Sequence, residues 1–183
     1  MRLCVAALLV IFVTSSQATW QTWSHGNKGL VSGMAFMESS KTKLFGVSGD
    51  GKLYERTWTG YFSGWQWVDH GSPPQMWNGE KLKSTPCVLK DGKLFVVTTH
   101  GRLVEFHWSG GSWHWVHHGR AMGHISINSE KCVATQANYR NRVLVVGYNN
   151  RVYQRLWTWN LQGQWQWTWR AHVDPANGVK VIK

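Results

Sequence analysis

The sequence repeats itself roughly every 48 residues, and a period of that size confines the fold to stacked or radially arranged units. Two signatures alternate along the chain. The first is tryptophan-rich: Trp20 opens WQTWSHG, Trp65 opens WQWVDHG, Trp113 opens WHWVHHG and Trp165 opens a degraded copy, WQWTWRAH. These starts lie 45, 48 and 52 residues apart. The second signature reads KLFGVSGDGKLYERTW from Lys43, KLFVVTTHGRLVEFHW from Lys93 and RVLVVGYNNRVYQRLW from Arg142, at spacings of 50 and 49.

The second signature is two β-rich runs about a turn. Asp50-Gly51, His100-Gly101 and Asn149-Asn150 occupy the joint, and Gly or Asn there tolerates the positive φ of a tight hairpin. The arms alternate with a period of two: Leu53, Glu55 and Thr57 share one face, Tyr54, Arg56 and Trp58 the other. The Trp segment supplies a third strand. A fourth is expected just before each hairpin, near Gly33–Met37, Pro86–Leu89 and Lys131–Thr135. No segment carries caps and an apolar 3.6-residue period long enough for a helix. Four strands in about 48 residues is the size of one propeller blade, so the expected fold is all-β, with tandem four-stranded antiparallel blades. The repeats are expected near 20–64, 65–112 and 113–164, with a partial fourth at 165–183. Three and a fraction blades are too few for a ring of the usual four to eight. Self-association of two chains into about six blades is therefore expected, with an irregular open array or a truncated longer array as alternatives.

Residues 1–18 read as a secretory signal peptide: Arg2 supplies the charge, Leu3 to Val13 the apolar run and Ser16-Gln17-Ala18 the cleavage site. No later stretch reaches the roughly 18 apolar residues of a membrane helix. The mature domain, 19–183, is thus expected outside the cell without a membrane span. It keeps two cysteines, Cys87 and Cys132, which an oxidising compartment favours as a disulfide; two small buried thiols in equivalent repeat positions are the alternative. No Asn-x-Ser/Thr sequon is present. The formal charge of +11 comes from scattered single basic residues, which points to general attraction for polyanions. Secretion argues against nucleic acid among them.

The run of short strand, Gly-containing turn, Leu-x-Glu strand and Trp-led strand, from about Trp20 to His172, resembles the repeat of the fucose-binding β-propeller lectins and, more loosely, of tectonin-like propellers. The resemblance implies sugar sites between adjacent blades, made by an Arg, a Glu and a Trp, and rings assembled from short chains. Glu55 and Glu105 stand at the Glu position, with Gln154 in the third copy; Trp67, Trp115 and Trp167 stand at the Trp position. The Arg has no counterpart inside the strand. Lys43, Lys93 and Arg142 lie just outside it.

Fourteen tryptophans suit sugar binding, because pyranose C–H groups pack on an aromatic face while the hydroxyls seek charged or amide partners. A Trp repeated at one position equally well fills space between blades. Trp23 and Trp77 lie outside the hairpin signature. Glu55 and Glu105 sit mid-strand among apolar neighbours and must find a partner: a ligand hydroxyl, or a salt bridge to Arg56, Arg102 or a neighbouring blade. His107, His114, His117 and His118 are clustered but lack metal-ligand spacing, so neither metal nor cofactor is expected. His25, His70 and His118 share an HG element that reads as a turn feature. No nucleophile elbow, HExxH or repeat-breaking carboxylate pair marks an active site, so the chain reads as no enzyme. The leading expectation is a secreted lectin-like module binding glycans at repeated shallow aromatic and acidic sites. The alternative is a matrix or surface-adhesive protein holding acidic polysaccharides by charge, and a hydrolase on the same scaffold is a weaker third.

Overall fold

The computed structural model describes residues 29–37, 42–128, 130–137 and 140–172. The expected leader at 1–18 and the Trp20 copy, with Trp23 and His25, lie outside them. Twelve strands fall into three four-stranded antiparallel sheets, each in sequence order. The first holds β1 (Ala35–Phe36), β2 (Lys43–Val47), β3 (Leu53–Trp58) and β4 (Trp65–Gly71). The second holds β5 (Cys87–Val88), β6 (Leu94–Val97), β7 (Leu103–Ser109) and β8 (Ser112–Gly119). The third holds β9 (Val133–Ala137), β10 (Arg140–Val146), β11 (Val152–Trp159) and β12 (Trp165–Ala171). No helix occurs among the described residues, and so none long and apolar enough to cross a membrane.

The all-β, blade-like architecture expected from the repeat is the one observed. The hairpin joints take positive φ at Gly51 (84°), Gly101 (70°) and Asn150 (60°), each closing the same backbone turn. At Gly101 a side chain is also excluded by space, since a Cβ would lie 2.7 Å from the Ile127 nitrogen. The sheets differ from the sequence reading in phase. The Trp segment closes a sheet instead of opening one, and the copy at Trp165 is β12, the last strand of the third sheet, not the start of a fourth unit.

Strand alternation gives the second sheet two buried faces. Leu94, Val96, Val104 and Phe106 pack against Phe45, Val47 and Leu53 of the first sheet. The intervening Phe95, Val97 and Leu103 pack against Val143, Val145 and Tyr153 of the third. The short strands β1, β5 and β9 lie side by side, so the sheets stack face to face with their first strands at one edge. Among the described residues the stack is an open array and not a closed ring.

Cys87 and Cys132 form a disulfide with Cα atoms 5.7 Å apart, tying β5 to the segment that enters β9. Closing a loop of 45 residues removes roughly 4 kcal/mol of unfolded-state entropy on the chain-entropy model. Replacing both cysteines with Ala should lower unfolding free energy by about 2–4 kcal/mol in urea titrations; an unchanged midpoint would show that the link carries no stability.

Candidate functional site

Each sheet places one polar side chain in the middle of its third strand, Glu55, Glu105 and Gln154, all nearly fully buried. Each meets a histidine at the end of the fourth strand. His70 Nε2 lies 2.7 Å from Glu55 Oε2, His118 Nε2 2.8 Å from Glu105 Oε2, and His172 Nε2 2.8 Å from Gln154 Oε1. In the first two sheets the histidine is the extra residue of a β-bulge: Leu53 pairs with Gly71 and Tyr54 with Asp69, and Leu103 pairs with Gly119 and Val104 with His117. A bulge turns its residue out of the ladder and aims it at a neighbour. The HG element is therefore no turn feature; it is the device that satisfies a buried carboxylate.

The two junctions between sheets differ in how that carboxylate is completed. At the first, Lys43 Nζ lies 2.5 Å from Glu55 Oε1 and 5.6 Å from the centre of the Trp113 ring, which His70 also meets at 5.4 Å. Burial pushes the Glu55 carboxyl up, but the bonds from His70 and Lys43 outweigh it and hold the group below its ordinary range. Here the salt bridge expected for Glu55 is made to lysine and histidine rather than to Arg56. Arg102 instead clamps Glu80 and lies under Trp77, 4.5 Å from its ring centre, which accounts for a tryptophan outside the repeat.

At the second junction the equivalent lysine is turned away. Lys93 Nζ lies 2.5 Å from Asp91, which also accepts a 2.8 Å hydrogen bond from Asn141 Nδ2 across the junction. These two bonds prevail over burial and keep the Asp91 carboxyl below its usual range. Glu105 is left with the hydrogen bond from His118 and the His107 ring, whose Nδ1 lies 3.0 Å away without hydrogen-bonding geometry. A cavity of about 430 Å³ opens beside it, walled by Trp157 and Trp167 and bordered by Lys93, His107 and Asn141. Asn141 is 6% exposed, and its Oδ1 is buried without a hydrogen-bond partner among the described residues. An acceptor held that way costs on the order of 1–3 kcal/mol unless something supplies a donor.

His118 is fixed in one tautomer. Arg155 Nε donates to its Nδ1 at 3.2 Å, so Nε2 carries the hydrogen that Glu105 accepts. Burial pushes His118 below the ordinary imidazole value despite Glu105, and burial likewise lowers Arg155, to about 10.

Of the six ligand-site residues expected from sequence, Glu105 and Trp167 share the cavity. Glu55 lies at the first junction under Lys43. Trp115 is packed on Phe106, with ring centres 4.5 Å apart. Trp67 lies on the outer face of the first sheet against Arg56 and Tyr54, and Gln154 on the face of the third sheet that points away from the second. Trp167 is not the counterpart of Trp67 and Trp115. Pairing in the third hairpin runs on past Trp157 to Trp159, whereas in the first it stops at Trp58, so Arg155 faces Trp169 as Arg56 faces Trp67, and Trp157 faces Trp167 as Trp58 faces Trp65. Trp167 thus matches Trp113. Both touch the junction histidine and a core Phe: Trp167 meets Phe95 at 5.6 Å, and Trp113 meets Phe45 at 5.8 Å. Asp91, Asn141 and Trp157 escaped the sequence reading. Lining up Lys41-Thr42-Lys43, Asp91-Gly92-Lys93 and Arg140-Asn141-Arg142 would have marked the first two as repeat-breaking.

The remaining histidines do not converge. His114 bonds the Ser109 carbonyl and His117 that of Pro74, and no group of His, Cys, Asp or Glu able to hold a metal ion occurs among the described residues. No protein-family model and no curated protein matches this chain.

A folded imidazole with a lowered pKa is protonated later than its unfolded counterpart. The stability it contributes is complete above about pH 6.5 and is lost as pH falls through the folded value. Glu55 and Asp91, also lowered, act the same way below about pH 4.5. Urea midpoints should therefore fall in two stages between pH 8 and pH 3, and His118→Asn should remove the upper stage; a flat profile above pH 5 would contradict the assignment of a neutral His118.

Proposed function

We propose that this is a secreted, non-enzymatic glycan-binding protein that takes a sugar between adjacent sheets, as its repeat-level resemblance to fucose-binding propeller lectins implies. The observation that carries this reading is the cavity at the second junction. It brings two indole walls to a buried carboxylate, a second carboxylate held by lysine, and a desolvated amide oxygen that lacks a donor. Pyranosides have the matching amphipathic form: C–H faces for the tryptophans and O–H donors for the oxygens. The site's hydrogen-bonding groups differ from the Arg-centred set of the lectins it resembles, since lysine and histidine take the donor roles.

A broad glycan array, probed with residues 19–183 at 0.1 M and 1 M salt, separates this reading from charge-driven adhesion to acidic polysaccharides. Screening shortens from about 10 Å to about 3 Å over that range. Sugar binding in the cavity should persist at 1 M and fall at least about tenfold in Trp167→Ala. Binding confined to sulfated or uronic glycans, lost in salt and indifferent to Trp167, would establish the adhesive protein instead.

Self-association belongs to the same proposal. Three four-stranded sheets are fewer than the four to eight blades of a usual ring, and a second copy would bring the number to six. Light scattering of the mature chain should give the mass of two copies, and a monomer at micromolar concentration would remove a two-chain ring from the account.

A further inference from the structure

We propose that, of the two junctions among the described residues, the one between the second and third sheets is open to ligand, and that Asp91 is the positioning residue that keeps it open, selecting uncharged pyranosides over acidic ones. This rests on the reading of the cavity as a glycan site.

The two junctions are built on the same frame, so their difference can be traced to few side chains. Lys43 opens β2 and Lys93 immediately precedes β6, at equivalent repeat positions, and Glu55 and Glu105 stand opposite equivalent residues, Phe45 and Phe95. Lys43 bridges to Glu55 and leans over Trp113, so its ammonium and stem occupy the space where a ligand would meet both groups. Lys93 would do the same to Glu105 and Trp167. It is diverted to Asp91 two residues earlier, and Asp91 is anchored across the junction by Asn141. Asp91 and Asn141 are peculiar to this junction: the residue two before Lys43 is Lys41, which stands outside the described residues, and the residue two before Arg142 is Arg140. A lysine at that position has no carboxylate with which to hold its neighbour.

The same groups set the ligand's charge. Two carboxylates, Asp91 and Glu105, and the Asn141 oxygen left without a partner among the described residues line the cavity with one ammonium, already paired, and the His107 ring, 3.0 Å from Glu105. Such a lining needs hydrogen-bond donors and repels an added anion. Hydroxyls meet the need; sulfates and uronates do not.

The test titrates the mature chain with methyl glycosides of neutral hexoses, 6-deoxyhexoses and N-acetylhexosamines, and with a methyl glucuronide, by calorimetry and saturation-transfer NMR. The expected result is one site per chain for a neutral glycoside, with the glucuronide at least about tenfold weaker. Asp91→Ala should weaken binding by about tenfold or more, because Lys93 is released onto Glu105, and Asp91→Ala with Lys93→Ala should recover most of it. A merely structural Asp91 would give a double variant no better than the single one, and that result overturns the proposal. So would two sites per chain, or a glucuronide that binds as well as the neutral sugars. A crystal structure of Asp91→Ala reads the positioning role without any sugar: Lys93 Nζ should stand against Glu105 as Lys43 stands against Glu55. If Lys93 moves as expected but none of these glycosides binds, the glycan reading fails and the role of Asp91 in opening the cavity stands; if Lys93 stays away from Glu105, the positioning role fails whatever binds.

Discussion

A carboxylate stripped of water sits in each described junction, and the bulge in the last strand of the first two sheets follows from the need to satisfy it. Leaving Glu55 or Glu105 buried and unpaired would cost several kcal/mol, a large part of the roughly 5–15 kcal/mol by which domains are stable. The histidine thrown inward by a bulge is the common answer, and its ring then becomes part of the packing, set against Phe45 and Trp113 at one junction and Phe95 and Trp167 at the other. Hydrogen bond and aromatic core are thereby one unit. Moving either sheet relative to its neighbour would break the ring packing and open the hydrogen bond, which lies within one sheet, to water.

What distinguishes the junctions is the second half of that satisfaction. A direct lysine bridge closes the first, whereas the second spreads the charge over Asp91, Lys93, Asn141 and two histidines and leaves a cavity among them. Arg155 adds a constraint found only there: it fixes the His118 tautomer while lying 5.3 Å from the Trp169 ring centre. At the first junction Phe106 takes the position that Arg155 holds in the next sheet, and it meets His70 ring to ring at 4.9 Å. A repeat protein diversifies in this way, by keeping the frame and changing the residues that face a neighbour.

Most of the fold could be read from the sequence because its cues are local. Alternation fixed the strand faces, Gly and Asn fixed the hairpin joints, and the period fixed the number of sheets. The phase of the repeat was not legible, since a cyclic pattern has no marked beginning and the Trp strand can be counted as first or last. The third Trp strand was misaligned for a related reason: WQWTW contains two overlapping copies of the motif, and only pairing to Arg155 and Trp157 decides between them. At the site, Glu105 and Trp167 were recognisable as motif positions. Asp91 and Asn141 were not, because their hydrogen bond joins residues 50 apart in sequence and neither belongs to the repeated pattern.

The proposed ligand site is the second junction, between Trp157, Trp167 and Glu105. Electron density from a crystal of the mature chain soaked in the neutral glycoside that binds best tests it most directly. The expected density is a pyranose ring against the indoles, with hydroxyls on Glu105 and Asn141 Oδ1 and no ring beside Glu55. Density at the outer sheet faces or over Trp113, with the second junction empty, would contradict it.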